Sequence, residues 1–509
     1  MSFLLGVRTV IALPIVLLAS LVKMVSLISL LRRWNSPLSE IPGPRLASWT
    51  RLWWIKVLYS GQADAELVKL HKKYGSIVRI GPKTVVVSDP ETTRRILAVG
   101  SRFTRGPWFD SLRLDPDQTT VVSERDPKKH QELRYVLSAG LSGKDICSVE
   151  TIVDDHIQGW MRILNTKQST FDEKVVKVDL SQAIPFLTLD IIAHLCLGAS
   201  FRCLETDTDQ YGFLDALQTG MIAQPYLGSL LELKKLLFTV GRPAFIRSRL
   251  FPNANNPKGL GRVMQFIREI VERRMAQGPR NEAKVDMLDS FFARGLSPDQ
   301  ATSELLVVLS SGVGATAYAI QGIIRCVIEN PNAQRKLQQD IDHVVSSENC
   351  GPRDVVNESV IKRMSYLQAC ITEGLRLYPP VSLLRERVVP PEGDYMHGYR
   401  IPGGTFIGLN GPASKLHPVY GSDVEDFRPE RWLINDETQL KQMARNMELV
   451  FGYGASKCLG VNLAYTELNK IIFELFRNHD LRLADPEHPW KARGDFILSD
   501  FHVVASRRN

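Results

Sequence analysis

Cysteine is scarce in this chain and badly placed for cross-linking. The 509 residues include seven cysteines, Cys147, Cys196, Cys203, Cys326, Cys350, Cys370 and Cys458, at wide spacing and with no Cys-x-x-Cys. An odd number at such intervals argues against a secreted disulfide framework and a structural zinc site, fits a reducing compartment, and leaves at least one thiol free for chemistry. Long uncharged runs are few and mean hydropathy lies just below zero, so a polytopic transporter is excluded. No lysine/arginine block or basic–aromatic interleaving occurs, and nucleic acid is not an expected partner. Internal repeats and low-complexity stretches are missing too, and no Pro/Gly/Ser-rich linker divides residues 45–509. What is present is 44% apolar and 23% charged, the composition of a globular protein with a sizeable core. The 63 lysines and arginines exceed the 55 acids by +8, a mild excess compatible with an anionic membrane face or an acidic partner.

The N-terminus departs from this texture. Thr9–Val22 is apolar and uncharged, Lys23 interrupts it, and Met24–Leu31 resumes it. As a helix Thr9–Leu31 would be about 34 Å long, against a hydrocarbon core of about 30 Å. Arg32, Arg33 and Trp34 follow as a basic and aromatic interface anchor, and Lys23 can snorkel toward that end. The alternative is a cleaved signal peptide, but no small-residue cleavage pattern follows, so residues 1–34 are expected to be an uncleaved single-pass anchor. The positive charges after the span place the remainder in the cytosol. Residues 35–44 include Pro37, Pro42 and Pro44, which forbid helix and favour stiff extended backbone; the segment is expected to act as a hinge, or simply to lead into the body.

Beyond the hinge the patterns are mostly helical. Ala63–Tyr74, Pro90–Val99, Lys128–Leu141, Leu187–Leu197, segments near 332–346 and 359–378, and a stretch after Gly460 read as helices. Ser76–Ile80 and Thr84–Val87, joined by Gly81-Pro82, read as a hairpin, with further short strands near 383–409. Leu305–Ile324 has no charge in 20 residues and Ser310-Ser311-Gly312-Val313-Gly314-Ala315-Thr316 at its middle. Its length would suit a second membrane span, but with no strong interfacial anchor at its ends a buried central helix is expected. The fold class is mainly α with a minor β part: one large helical domain, residues 45–509, behind the membrane anchor.

Chemistry concentrates in four places. Phe451-Gly452-Tyr453-Gly454-Ala455-Ser456-Lys457-Cys458-Leu459-Gly460 surrounds one cysteine with three glycines just before a helix. Glycine lets backbone approach a bulky flat ligand, and loop N–H groups can tune a thiolate. Glu373-Gly374-Leu375-Arg376 puts opposite charges at i and i+3 on one helical face. Phe427-Arg428-Pro429-Glu430-Arg431-Trp432 lies between it and Cys458, and His130 and Arg134 share a helical face at i, i+4.

In this order the motifs resemble those of the cytochrome P450 family. Phe451, Gly454, Cys458 and Gly460 match its haem-ligand loop, with Ser456 standing where the family has arginine. The resemblance implies the cytochrome P450 fold and haem b with an axial cysteine thiolate from Cys458. It also implies a buried network of Glu373, Arg376 and Arg431 behind the loop, and haem-propionate contacts from His130, Arg134 and Arg387, with Arg385 competing for the last role. The texture around Tyr399–Thr405 and Phe427–Trp432 looks like fungal secondary-metabolism members.

The implied activity is that of a haem-thiolate monooxygenase hydroxylating or epoxidising a lipophilic small molecule. An axial thiolate favours O–O cleavage. Electrons would come from NADPH–cytochrome P450 reductase at the endoplasmic reticulum membrane, since no flavin or dinucleotide motif occurs here. By the same resemblance the substrate is lined by parts of 102–122, 210–240, 309–316, 381–384 and 496–501. The central helix departs from the family: its acid position is Gly314 and its alcohol position Ala315, leaving Thr316 one residue on as the candidate catalytic hydroxyl, if a local bulge brings it round. That departure also admits an oxidase catalysing ring coupling, desaturation or rearrangement without oxygen insertion, and, further off, a haem-binding membrane protein without catalysis.

Overall fold

The computed structural model describes residues 36–508 apart from 171–174, 254, 279–285, 352–353, 382–383 and 493–497. The expected anchor helix Thr9–Leu31 lies outside the described residues. In chain order the principal elements are α1 (Leu52–Tyr59), α2 (Ala63–Tyr74), β1 (Ile77–Gly81), β2 (Thr84–Val87), α3 (Pro90–Leu97), β3 (Thr104–Arg105), α4 (Pro127–Leu141), α5 (Val149–Thr170), β4 (Val175–Asp179), α6 (Leu180–Leu197), α7 (Phe213–Ser229), α8 (Leu231–Val240) and α9 (Gly259–Gln277). They continue with α10 (Pro298–Ile328), α11 (Pro331–Ser347), α12 (Ser365–Leu377), β5 (Arg387–Val388), β6 (Asp394–Met396), β7 (Tyr399–Ile401), β8 (Phe406–Leu409), α13 (Glu437–Met447), α14 (Val461–Asn478), β9 (His479–Leu483) and β10 (His502–Arg507).

Local chemistry sets the ends of the elements that matter for the site. Asp126 accepts from Lys129 N at 2.9 Å and Pro127 occupies the first position of α4, so that helix starts where its unpaired N–H groups are satisfied. Ser297 and Pro298 do the same for α10. The 31 residues of α10 form the axis of the molecule, packed against α6, α9, α12 and α14. Its isoleucines Ile320, Ile323 and Ile324 are fully buried in the main core. The hydrophobic span of α10 is therefore a core helix, and so is α6, the other helix apolar enough to cross a membrane: both are mostly buried within the protein. Burial of one such side chain contributes on the order of 2 kcal/mol, which explains why a run of this length lies inside the protein.

The five-stranded sheet runs β1-β2-β8-β5-β3. The expected β1/β2 hairpin is antiparallel, β2 and β8 run parallel, and β5 joins β8 to β3 by antiparallel pairs. The last pairing sets Arg105 directly opposite Arg387. A second sheet, β4-β10-β9, closes the far side. The proline-rich segment is clamped to the first sheet by buried Arg79, which donates to Leu38 O (3.1 Å), Ser36 Oγ (3.1 Å) and Pro82 O (3.0 Å), while its own N–H reaches Pro42 O at 2.8 Å. Elements additional to the sequence reading include helices α1, α5 and α13 and strands β3, β4, β9 and β10, and α6 begins seven residues before the expected Leu187 because Asp179 caps it ahead of Pro185.

Candidate active site

The loop before α14 folds back on itself. Cys458 N donates to Phe451 O at 2.7 Å, Ser456 N to Tyr453 O at 3.0 Å, and Lys457 N to Gly454 O at 3.1 Å. Gly452 and Gly454 both have positive φ, 73° and 55°. A Cβ on Gly454 would lie 2.2 Å from Leu97 O, and one on Gly452 2.5 Å from Ser456 O, so only glycine fits at either place. The Phe451 ring stacks near Tyr465 of α14, at 5.2 Å between centroids, fixing the loop to the helix it precedes.

The Cys458 side chain is exposed, but protein crowds close around it, and desolvation is the largest influence on its titration. Burial pushes the thiol above its ordinary range, while the Gly460 N–H and the positive charge of Arg134 pull it down. The loop and α4 thus each supply one group that favours a thiolate, and a coordinated cation would favour it further.

Behind the loop stands the expected charge network. Glu373 is fully buried and accepts from Arg376 Nε (2.8 Å) and Nη2 (2.7 Å), Arg431 Nε (2.7 Å), Trp432 Nε1 (2.9 Å) and Arg428 N (3.1 Å). Arg376 spends its remaining donors on Lys415 O, Val424 O and Asp426 O, and Arg431 bonds Tyr420 O and Asp423. The network pins α12 to the segment 415–432.

On the other side four bases gather with little to neutralise them. Arg105 and Arg387 face each other across β3/β5 with the Phe109 ring beside both, at 4.7 and 5.1 Å. Arg387 reaches Ser456 Oγ at 2.8 Å, so the serine in the family's arginine position is joined to a second arginine. Burial and the neighbouring Arg105 and Arg385 lower Arg387 to about 9, and burial and Arg134 lower Arg105 to about 10. His130 is buried, its Nε2 has no partner, and burial with three nearby guanidiniums holds it down to about 3. Arg134 forms no ion pair or hydrogen bond among the described residues. Two carboxylates act on the cluster: Glu124 is committed to Thr119 Oγ1 (2.6 Å), Arg125 N (2.7 Å) and Asp126 N (2.8 Å), and Glu386, beside Arg387, to Trp108 N (2.7 Å). Like charges directly across a strand pair are unfavourable. The cluster has the shape of a receptor for a buried dianion.

The cytochrome P450 family model matches residues 42–499. The chain belongs to the cytochrome P450 family. It is 33% identical to the cytochrome P450 monooxygenase ABA1 of Pyricularia oryzae over 92% of this chain and 93% of that protein. It is 34% identical to aba1 of Botryotinia fuckeliana over 89% and 88%, and 27% identical to gsfF of Penicillium aethiopicum over 91% of each. The protein is therefore a haem-thiolate monooxygenase, an oxidoreductase whose cofactor is haem b on an axial cysteine thiolate.

The residues fit that cofactor. The glycines let the cysteine loop fold tightly against Leu97 and Ser456, and the four bases suit the two carboxylates that haem b carries. Arg385, the competitor for the Arg387 role, lies close enough to Arg387 to act on its charge. Sequence reasoning missed Arg105, because a strand of two residues inside a loop-like stretch gives no periodic signal; only its pairing with β5 brings it in. Thr316 is buried at 8% exposure on a helix that is α throughout, so the expected bulge is absent and its hydroxyl stays about 100° round from Ala315. A small, largely apolar cavity lies on another face of α10, lined by Leu214, Leu217 and Met221 of α7 and by Val313, Gly314 and Ala317.

Proposed function

We propose that Cys458 is the axial ligand and that His130, Arg134 and Arg387, joined by Arg105, hold the haem propionates. The observation carrying this is the cluster of four bases beside the cysteine loop, in which positive charge outweighs the two carboxylates near it. Bound haem supplies the activation of dioxygen. The chain's own parts do the rest. The Phe451–Gly460 loop presents the thiolate, with Gly454 and Phe451 setting its path. Arg105, Arg134 and Arg387 would hold the carboxylates of haem by charge-assisted bonds and so orient it. The neutral imidazole of His130 offers one further donor. A lipophilic substrate would be received beside the α10 face that carries Ala315, as small-molecule sites are mostly apolar.

The reaction we infer is hydroxylation or epoxidation of a lipophilic small molecule in a fungal secondary-metabolite pathway, with electrons from NADPH through cytochrome P450 reductase. Residues 1–34 anchor the chain in the endoplasmic reticulum membrane, 35–44 form the hinge, and 45–509 face the cytosol as one catalytic domain. Two observations support a membrane-set orientation. Arg79 fixes the proline segment at one angle. Leu46, Trp49, Leu52 and Tyr59, just after it, are exposed together with Leu233, Leu236 and Phe245, and Arg51–Glu232 ties the two regions at 2.7 Å. A tether on both redox partners raises their effective concentration.

Gly314 and Ala315 favour one second reading, oxidation without oxygen insertion, because the acid–alcohol pair is missing. Turnover under oxygen-18 gas with reductase and an extract of candidate lipophilic metabolites separates the two. Label in the product supports the monooxygenase reaction. An oxidised but unlabelled product overturns it in favour of coupling or desaturation.

A further inference from the structure

Ser311 occupies an unusual place on the central helix. From Ala301 to Ile328 every described residue of α10 is buried or half-buried except Ser311, which is exposed. The position is not an accident of a frayed end: α10 is unbroken, and Ser311 lies near its middle. Its direction follows from the contacts of residues on the same stripe. Taking Glu304 as zero, 100° per residue places Gly322 at about 0°, Ser311 at about −20° and Ala315 at about +20°. Glu304 accepts from Val121 N at 3.0 Å, in the loop that leads into α4 with His130 and Arg134. Gly322 packs on Tyr378 at the end of α12, just ahead of β5 with Arg387. The ends of the stripe therefore rest on the segments that lead to His130 and Arg134 and to Arg387, and Ser311 and Ala315 look out of it one turn apart.

The other hydroxyls of the segment point elsewhere. Ser310, at about −120°, gives its hydroxyl to Leu306 O at 2.8 Å. Thr316, at about +120°, is buried in the packing. Ser311 Oγ makes no hydrogen bond among the described residues. It is a free donor on the face where this chain has lost the family's alcohol.

We propose that Ser311 is the hydroxyl that hands protons to the reacting dioxygen in place of the missing residue at 315; this rests on the haem-thiolate reading above. Each oxygenation takes up one dioxygen, two electrons from reduced nicotinamide through the reductase, and two protons, and releases hydroxylated product and water. Ser311 gives its O–H proton toward the oxygen and recovers one from solvent water, so it ends each turnover unchanged. Its O–H also donates to a diatomic ligand at the same place, which makes the role visible without turnover.

The test uses full-length, membrane-bound holoprotein reduced under carbon monoxide. The infrared C–O stretch of wild type is compared with Ser311→Ala, Ser311→Thr and Thr316→Ala, each in H2O and D2O. Ser311→Ala removes one exposed hydroxyl and puts the best helix former in its place, so this variant retains the fold, and Ser311→Thr keeps a donor. Expected is an upward shift of the band in Ser311→Ala with loss of its D2O sensitivity, a near-wild-type band in Ser311→Thr, and no change in Thr316→Ala. With reductase and NADPH, Ser311→Ala should also release a larger share of its electrons as hydrogen peroxide. An unmoved band in Ser311→Ala, or a band moved by Thr316→Ala instead, overturns the proposal while leaving the haem reading intact. Absence of a thiolate-type carbon monoxide complex in wild type overturns the haem reading, and the proposal with it.

Discussion

Replacing Glu373 by glutamine keeps the shape of the side chain and removes its charge. In the folded protein that carboxylate sits between the guanidiniums of Arg376 and Arg431, each about 1% exposed, and accepts five hydrogen bonds. The amide accepts at one oxygen only, and its NH2 group confronts donors. Breaking a buried pair by removing one partner costs about 3–5 kcal/mol, because the other charges stay buried. The unfolding entropy of a body this large is about 1 kcal/mol per degree, from about 2 cal/mol/K per residue. The melting midpoint of the haem absorbance should therefore fall by about 3–5 °C, read at one scan rate, with urea midpoints as a second measure. The control is Glu437→Gln, which breaks the exposed Lys441–Glu437 pair (78% and 81% exposed) and should leave the midpoint where it was. A shift for Glu373→Gln no larger than that of the control would refute the claim that the network holds the segment behind the loop.

Other expectations follow from the same geometry. Arg387→Leu should weaken haem retention by about 10–100-fold, the worth of one charge-assisted bond at about 1.5–3 kcal/mol, while the haem-free protein becomes no less stable, because a repulsion with Arg105 is relieved. Haem-loss rates beside urea unfolding of the haem-free form check both signs. Gly454→Ala should lower the haem-to-protein ratio, since its Cβ would lie 2.2 Å from Leu97 O at φ 55°. Burial raises Glu304 to about 7, so the folded protein keeps a proton that the unfolded chain has lost above the ordinary carboxyl range. That contribution is complete below pH of about 4.5 and is lost as pH rises through about 7. Between pH 5.5 and 8, Glu304→Gln should therefore gain about 2 kcal/mol on wild type in urea unfolding, and a constant difference would contradict the burial argument.

Much of the site was legible because its chemistry is local in sequence. Glu373 and Arg376 share a helical face at i, i+3, His130 and Arg134 at i, i+4, and the glycines around Cys458 are adjacent along the chain. Hairpin β1/β2 was legible for the same reason: alternating β-branched residues flank a Gly-Pro turn. What escaped depends on contacts between distant segments. Arg105 joins the cluster only because β3 pairs with β5, some 280 residues later. Ser310 and Ser311 are indistinguishable as letters, and only the loop at Val121 and the ring of Tyr378 show which of them faces out. Helix α5 escaped for another reason: polar and charged residues interrupt its apolar positions, and its buried stripe of Val153, Ile157, Trp160, Met161 and Leu164 is clear only once the packing partner is known.

The central claim is that Cys458 holds haem as a thiolate. The most direct measurement is the reduced, carbon monoxide-bound absorption spectrum of purified wild-type protein beside Cys458→Ala. A thiolate-type Soret band in wild type that vanishes in the variant is the expected result. A band that survives the substitution, or well-folded wild-type protein that takes up no haem, would contradict it.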